Sequence, residues 1–211
     1  MDTNIKHKYW KKRIFDLVLC SFSSFVLLPV VFIIAMGVFI SMGHPVIFKQ
    51  LRPGKDGKPF YLYKFRTMLE LKDDKDNYLP DEKRLTTFGK FLRKWSLDEL
   101  PELWNVLKGD MSIVGPRPLL TKYMPYFSEN EKQRFIMKPG ITGWAQINGR
   151  NKVSWVNRLS LDIWYVNNWS ISLDIRIIAR TIMDIMLHRD LIVLPKSYMP
   201  DLDEERKALK L

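Results

Sequence analysis

The sequence has little of what covalent or metal-based scaffolds require. Its one cysteine, Cys20, excludes an internal disulfide. Its histidines, His7, His44 and His188, are scattered and show no metal-ligand spacing. Internal repeats and low-complexity tracts are absent as well. We therefore expect a chain that faces the cytosol and that is not a zinc protein.

Acidic residues are in short supply. Lysine and arginine together number 34 against 23 aspartates and glutamates, so the formal net charge is +11. This excess favours an anionic partner, and composition alone leaves nucleic acid, acidic lipid and a phosphorylated substrate open. With 211 residues, 46% of them hydrophobic, the chain is long enough to bury a core.

Residues 17–42 lack charge altogether. About 18 apolar residues already suffice to indicate a membrane helix. Pro29 lies near the middle of this run, where it removes a backbone hydrogen bond and favours a kink. Basic residues lie on both sides, and the positive-inside rule would place both flanks in the cytoplasm. We predict a re-entrant helix-break-helix in one leaflet at residues 1–43; a single spanning helix is the alternative.

The remaining patterns predict a cytosolic catalytic domain at residues 44–194 and a polar tail at 195–211. Two β-prone runs, 46–51 and 60–65, flank a turn-rich linker and indicate a β-hairpin. Helical periodicity indicates amphipathic helices at 86–95, 100–107, 154–169 and 174–189. In the last helix, the core-facing residues are expected to be Ile175, Ile178, Ile182 and Ile185. The predicted fold is α+β and mostly helical, with interfacial helices around the active site.

Two adjacent carboxylates, Asp98 and Glu99, open one of the amphipathic segments. Ser96 and Glu99 have the S-x-x-E spacing of a capping box, so a purely structural role at a helix start is the alternative. Pro101 favours a start nearer Asp98. Near the positive end of a helix a carboxylate stays ionised and an anionic substrate is also favoured.

Basic side chains in restricted backbone surround these acids in the sequence. Residues 115–118 read Gly-Pro-Arg-Pro, which would present Arg117 rigidly, and a glycine-rich stretch ends at Arg150. A fixed guanidinium suits bidentate phosphate recognition. The phosphate-binding candidates are Lys64, Arg93, Arg117 and Arg150.

Seven motifs stand in an order known from one family. They are Lys12-Arg13-x-x-Asp16, Pro45-Val46-Ile47-Phe48, Lys64-Phe65-Arg66-Thr67-Met68, Arg93-x-x-Ser96-Leu97-Asp98-Glu99-Leu100, Asn105-Val106-Leu107-Lys108-Gly109-Asp110-Met111-Ser112, Val114-Gly115-Pro116-Arg117-Pro118 and Pro139-Gly140-Ile141-Thr142-Gly143-Trp144-Ala145-Gln146. On these motifs the sequence resembles the bacterial sugar transferases, and among them the small monotopic phosphoglycosyl transferases. The resemblance runs from about Lys12 to about Arg189.

The resemblance implies transfer of a sugar 1-phosphate from a UDP-sugar to polyprenol phosphate, with Mg²⁺ and with release of UMP, at the cytoplasmic face of the bacterial inner membrane. It implies no nucleic acid partner. By position Asp98 is the nucleophile that forms a covalent phosphosugar intermediate, and Glu99 is its partner; both are candidate magnesium ligands. Asp162 and Asp174 match family aspartates that are candidates for substrate binding, with pairing to arginines as the alternative. The family breaks its membrane helix at a Ser-Pro pair, whereas here Leu28 precedes Pro29.

Two other functions stay open from the sequence. A direct metal-dependent glycosyltransferase would release UDP and would use a D-x-D motif, which occurs at Asp74-x-Asp76 and Asp201-x-Asp203. A basic, membrane-anchored adaptor without activity would need no special role for Asp98.

Overall fold

The computed structural model describes residues 3–148, 154–187 and 200–208, with side chains from Trp10 onward. The first element is one long helix, α1 (Thr3–Met42), which contains Pro29. Within it, Trp10–Met42 is long and apolar enough to cross a membrane, by length and composition. The structure therefore has a single helix with proline inside it where the sequence predicted two helices and a break. Insertion into one leaflet stays a prediction.

The first half of α1 is attached to the globular part through polar contacts. Lys12 Nζ lies 2.6 Å from Asp174 Oδ2, and both side chains are buried. Asp16 accepts a hydrogen bond of 2.7 Å from Ser112 Oγ. Buried ionic groups of this kind need a partner to offset their desolvation. The start of the apolar run is thereby fixed to residues that lie 96 and 162 positions later in the sequence.

The second half of α1 is attached through apolar packing. Ile34 and Val38 are buried in one cluster with Phe65 and Leu92. Between the two attachments the helix is open, and Phe25 in its middle is 79% exposed. An exposed apolar stretch of this kind indicates a surface that meets lipid or another protein.

A β-hairpin follows α1. Strand β1 (Ile47–Pro53) pairs antiparallel with β2 (Pro59–Phe65), in the register Ile47↔Phe65 to Pro53↔Pro59. The predicted hairpin is thus confirmed. Phe60 and Leu62 on β2 are buried against α1 and the helix that follows the acid pair. The buried residues of this cluster are Cys20, Phe60, Leu62, Val106 and Met111.

The helices beyond the hairpin are mostly short. They are α2 (Asp81–Arg84), α3 (Thr87–Lys94), α4 (Glu102–Lys108), α5 (Trp144–Ile147), α6 (Trp155–Asn168), α7 (Ile171–Met186) and α8 (Leu202–Ala208). Hydroxyl caps begin three of them: the side chains of Thr86, Ser154 and Ser170 accept from backbone N–H groups in the first turns of α3, α6 and α7. The four predicted helices are all present, with small shifts at their ends.

Two short strands, β3 (Ser112–Val114) and β4 (Gly140–Thr142), pair in parallel. The sequence did not predict them. Glycine permits their loops to approach closely, because a Cβ on Gly115 would lie 2.4 Å from the Lys138 carbonyl oxygen. The pairing fixes the Gly-Pro-Arg-Pro loop, which begins at Gly115, against the segment that leads into α5.

The core face of α7 differs from the prediction. Ile175 and Ile182 are more than half exposed, and Ile178 and Ile185 are half-buried. The buried positions are Leu173, Asp174, Ile177 and Asp184. The inward face carries Asp174 because this carboxylate finds buried partners there. Of the four predicted residues, Ile178 packs against the core, whereas Ile175 and Ile182 face outward. Hydrophobicity alone therefore gives a stripe that is rotated away from the buried face.

The described end of the chain, residues 200–208, packs on the globular part. Leu202 of α8 is fully buried with Tyr123 and Trp155. Lys122 Nζ lies 2.7 Å from Asp201 and 2.9 Å from Asp203. The aspartates of this D-x-D motif are therefore engaged by a lysine. The predicted boundary at residue 194 lies outside the described residues.

Candidate active site

The acid pair lies in a tight turn between α3 and α4. Ser96 has the left-handed conformation, with φ of 53°, and Leu97–Glu99 form one turn of 3₁₀ helix before Pro101 and α4. The Ser96 side chain makes no capping hydrogen bond within the part of the chain that the structure describes. The capping-box interpretation is therefore wrong: Glu99 points to other partners. A left-handed serine is uncommon, and such backbone often occurs at functional turns.

Glu99 is held by two cations. Its Oε1 accepts from Lys64 Nζ at 2.6 Å and from Arg117 Nη2 at 2.9 Å. Burial alone would raise the pKa of Glu99, but Lys64 and Arg117 hold that pKa at about 2. Glu99 is therefore ionised at neutral pH, and its fixed charge positions the lysine and the arginine.

Asp98 differs from its neighbour. Among the described residues it makes no hydrogen bond and no ion pair, and its side chain is only partly buried. Burial and the adjacent charge of Glu99 raise the pKa of Asp98, while Lys64, Arg93 and Arg117 act in the opposite direction. The site therefore contains one locked carboxylate and one carboxylate that is open to a ligand.

A third carboxylate, Glu102, was missed by the sequence analysis. It lies in the first turn of α4, is 3% exposed, and its Oε1 is 3.2 Å from Lys64 Nζ. Burial raises the pKa of Glu102 to about 7, against the effect of Lys64. The only sequence signal was its position three residues after Glu99, which places both side chains on one side of a helical turn.

Three of the predicted phosphate-binding residues surround the acid pair. Lys64 lies one residue before the end of β2, and Arg117 projects from the loop that β3 and β4 fix. Arg93 lies on α3, where its Nε donates to Thr67 Oγ1 at 3.1 Å and its charge acts on Asp98. The strand, the helix and the loop thus bring cations to Asp98 from separate parts of the sequence.

The other predicted site residues lie elsewhere. Asp162 accepts from Arg134 Nη2 at 2.7 Å, with both side chains buried. Asp174 pairs with Lys12 and also accepts from Tyr165 OH at 2.6 Å. Both aspartates therefore have the contacts of buried structural ion pairs. Arg150 lies outside the described residues.

The donor set fits a metal ion that a substrate helps to bind. No group of three or more His, Cys, Asp or Glu side chains within residues 3–148, 154–187 and 200–208 is placed to hold a metal ion. Magnesium often takes only one or two carboxylates together with phosphate oxygens and water. Asp98 has free oxygens for this purpose, whereas Glu99 Oε1 is occupied by Lys64 and Arg117. Asp98 is thus the better of the two predicted ligands.

Comparison with known proteins gives consistent matches. The family model described as "Bacterial sugar transferase" matches residues 7–188. The "Uncharacterized sugar transferase EpsL" of Bacillus subtilis is 54% identical over 181 residues, which cover 83% of this chain and 87% of that protein. The "UDP-glucose:undecaprenyl-phosphate glucose-1-phosphate transferase" of Escherichia coli is 42% identical over 81% of this chain and 39% of its own length. The "Undecaprenyl-phosphate galactose phosphotransferase" of Salmonella typhimurium is 39% identical over 85% and 41%. The chain thus spans most of EpsL but about two fifths of the other two.

Proposed function

This chain belongs to the bacterial sugar transferase family, and we propose that it moves a sugar 1-phosphate from a UDP-sugar to polyprenol phosphate and releases UMP. The Escherichia coli relative, named for UDP-glucose and undecaprenyl phosphate, and the Salmonella relative, named for undecaprenyl phosphate and galactose, support this activity. The observation that carries the proposal is the open carboxylate of Asp98 beside a locked Glu99 and three cations.

The proposed chemistry has two steps at one phosphorus atom. The Asp98 carboxylate attacks the β-phosphorus of the donor, the bond from this phosphorus to the bridging oxygen breaks, and UMP leaves with the electron pair. A phosphate oxygen of polyprenol phosphate then attacks the same phosphorus, forms the diphosphate bond and releases Asp98. Covalent catalysis of this kind divides one difficult transfer into two easier ones.

The cations solve the main electrostatic problem of this mechanism. A carboxylate that approaches a diphosphate meets like charge, and fixed positive groups are needed to stabilise the charge that develops. Lys64 and Arg117 supply such groups, and Glu99 keeps them in place. Magnesium, held by Asp98 and substrate phosphate oxygens, would supply further positive charge at the same place.

Insertion of α1 into a single leaflet fits its two attachments. The open stretch between Cys20 and Ile34, both buried, is about 20 Å long at 1.5 Å per residue. The hydrocarbon core is about 30 Å thick, so this stretch is too short to cross it. Both attachments are made to the same globular part. We therefore infer a re-entrant helix and an active site at the cytoplasmic face of the inner membrane, where a soluble nucleotide sugar and a lipid phosphate meet.

The decisive experiment traps the covalent step. A panel of UDP-sugars labelled in the β-phosphate is incubated with the protein, Mg²⁺ and no acceptor, and the denatured protein is counted. Wild-type protein should retain label with the correct donor, Asp98→Asn should retain none, and Asp74→Asn, which alters an exposed loop carboxylate, should behave as wild type.

Three results would contradict the proposal in different ways. Release of UDP would indicate direct glycosyl transfer. Release of UMP without trapped label under any condition would indicate attack of the acceptor on the donor with no intermediate. Normal turnover by Asp98→Asn would remove Asp98 from the mechanism altogether.

A further inference from the structure

Arg52 lies on the side of the hairpin that faces the active site. In the β1–β2 register Arg52 pairs with Phe60 and Phe48 pairs with Lys64. Side chains two residues apart on a strand share a face, so Arg52 and Lys64 project to the same side of the hairpin. Phe60 and Leu62 on this side are buried. The arginine and the lysine therefore border one region at the rim of the core.

Neutral groups alone fix the Arg52 guanidinium. Its Nη2 donates to Gln50 Oε1 at 2.5 Å and its Nη1 to the Pro118 carbonyl oxygen at 3.2 Å. Its Nε is buried and has no hydrogen-bond partner among the described residues. No carboxylate within those residues forms an ion pair with Arg52. The orientation of the Arg52 guanidinium is therefore fixed, and its positive charge is available to a bound anion.

The charged side chain with the largest effect on Arg52 is Arg117, which has the same sign. Burial and then the charge of Arg117 lower the pKa of Arg52 to about 10, against the smaller opposite effect of Glu102, so Arg52 is still protonated at neutral pH. Arg117 is the arginine that binds Glu99 beside Asp98, and Pro118, which accepts from Arg52, follows it directly in the loop. Two guanidinium groups kept close together in a partly buried place repel each other. An anion bound between them would relieve this repulsion.

We propose that Arg52 and Arg117 form a subsite for a phosphate monoester beside Asp98, which receives the phosphate of UMP as it departs. This assignment rests on the proposed function. When the bond between the β-phosphorus and the bridging oxygen breaks, the electron pair stays on the α-phosphate, and the two guanidinium groups stabilise that charge. Polyprenol phosphate is a phosphate monoester too, so the same subsite suits its head group after UMP has left.

The arginine fork, rather than charge alone, is what this subsite requires. Guanidinium presents several N–H donors in a fixed plane that matches phosphate oxygens, whereas an ammonium group acts as a point charge. Gln50 and the proline-flanked loop hold that plane before any ligand arrives. Little side-chain freedom is then lost on binding.

Calorimetric titration of the full-length protein in detergent micelles tests the subsite. UMP, uridine and a short-chain prenyl phosphate are titrated into wild type, Arg52→Gln and Lys49→Gln. Lys49 is the matched control, because it lies on the same strand but faces outward over the Tyr63 ring. Loss of a charge-assisted hydrogen bond should weaken UMP binding to Arg52→Gln by about tenfold or more. Uridine binding to this variant, and UMP binding to Lys49→Gln, should stay within about twofold of wild type.

The ligands separate the two possible sources of phosphate. Weakening for UMP alone assigns the subsite to the nucleotide, and weakening for both UMP and the prenyl phosphate assigns it to donor and acceptor in turn. Unchanged binding of both phosphates to folded Arg52→Gln overturns the subsite, as does an equal loss for uridine. If the glutamine variant does not fold, Arg52→Lys replaces it, with UMP binding weakened at least about threefold and uridine unchanged. If the wild-type protein traps label but the Arg52 variants bind UMP as tightly as wild type, only the subsite is refuted. If the wild-type protein neither traps label nor binds UMP, the proposed function is refuted as well.

Discussion

Replacing Asp174 by leucine should destabilise the whole protein, because it would leave the buried Lys12 with the Tyr165 hydroxyl but without its ion-pair partner. Asp174 Oδ2 accepts from Lys12 Nζ at 2.6 Å and from Trp169 Nε1 at 2.9 Å, and Oδ1 accepts from Tyr165 OH at 2.6 Å. The Asp174 side chain is 0% exposed and that of Lys12 is 5% exposed. The pair joins α1 to α7, so its loss should loosen the attachment of the membrane helix.

The structure sets the size of the expected effect. Removing one partner of a buried ion pair costs about 3–5 kcal/mol, so Asp174→Leu and Lys12→Met should each lose about that much. The double variant removes both charges of the pair, and Asp16, which also feels the charge of Lys12, keeps its hydrogen bonds from Ser112 and from the Ile113 N–H. The variant therefore loses mainly the two hydrogen bonds from Tyr165 and Trp169, about 2–4 kcal/mol together. Tyr165 OH also lies 3.2 Å from the Val114 carbonyl oxygen, which limits its share of the loss. Independent effects would instead sum to about 6–10 kcal/mol.

Thermal unfolding in detergent micelles measures this coupling. At about 2–4 °C per kcal/mol for a chain of this size, each single variant should melt about 6–20 °C below wild type. The double variant should melt no lower than the single variants. Losses that simply add would refute the ion pair as the source of stability. An Asp174→Leu protein that melts like wild type but does not release UMP would return Asp174 to the substrate-binding role that the resemblance implies.

Glu102→Gln should stabilise the protein at high pH. Burial holds the pKa of Glu102 at about 7 in the folded protein, above 4.5 in the unfolded chain. The stability that the protonated form contributes is therefore complete below about pH 4.5 and is lost as the pH rises through 7. The gain of the variant over wild type should grow from pH 5 to pH 8 by up to about 3 kcal/mol, and a gap in Tm that does not change with pH would contradict it. The topology of α1 can be tested with Lys11→Cys and Lys58→Cys, each at an exposed position and each in a Cys20→Ser background. If α1 is re-entrant, both cysteines should react with an impermeant thiol reagent from the same side of sealed vesicles. Labelling from opposite sides would indicate a spanning helix.

Local patterns predicted the hairpin and the main helices well, because turn residues and periodicity report on neighbours in the sequence. The turn-rich linker between the two β-prone runs and the apolar periodicity of α3 and α6 are signals of this kind. The β3–β4 pairing was not predictable in the same way. It joins Ser112 to Gly140 through very short strands whose residues show no alternation long enough to detect.

In the site, too, some contacts could be predicted from the sequence and the long-range ones could not. Motif order placed Asp98 and Glu99 together with Lys64, Arg93 and Arg117, and the structure brings these side chains to one place. The order of the motifs did not indicate that Asp174 would contact Lys12, since that contact spans 162 positions in the sequence. Glu102 and Arg52 were missed because each looks like an ordinary charged residue of a helix or strand. Only their burial and their partners distinguish them.

Two arginines connect the membrane helix with the elements that carry the candidate site. Arg13 of α1 donates to the carbonyl oxygens of Val106 and Leu107 at 2.5 and 2.8 Å, in the last turn of α4, whose first turn follows the acid pair. Cations suit this position, because the carbonyl groups at a helix C-terminus lack intrahelical partners.

Arg66 binds the C-terminal end of α1. It donates to the carbonyl oxygens of Met42, Gly43 and His44, and so caps α1 from the chain segment that directly follows β2. Lys64 lies two residues before it, and Thr67, which accepts from Arg93, comes directly after it. The acid pair and its cations are thus attached to both ends of one apolar helix. Because the proposed acceptor lies in the bilayer, the depth of α1 in the membrane would set the height of Asp98 above the lipid phosphate. Arg13 and Arg66, which hold the two ends of α1, would therefore help to set that height.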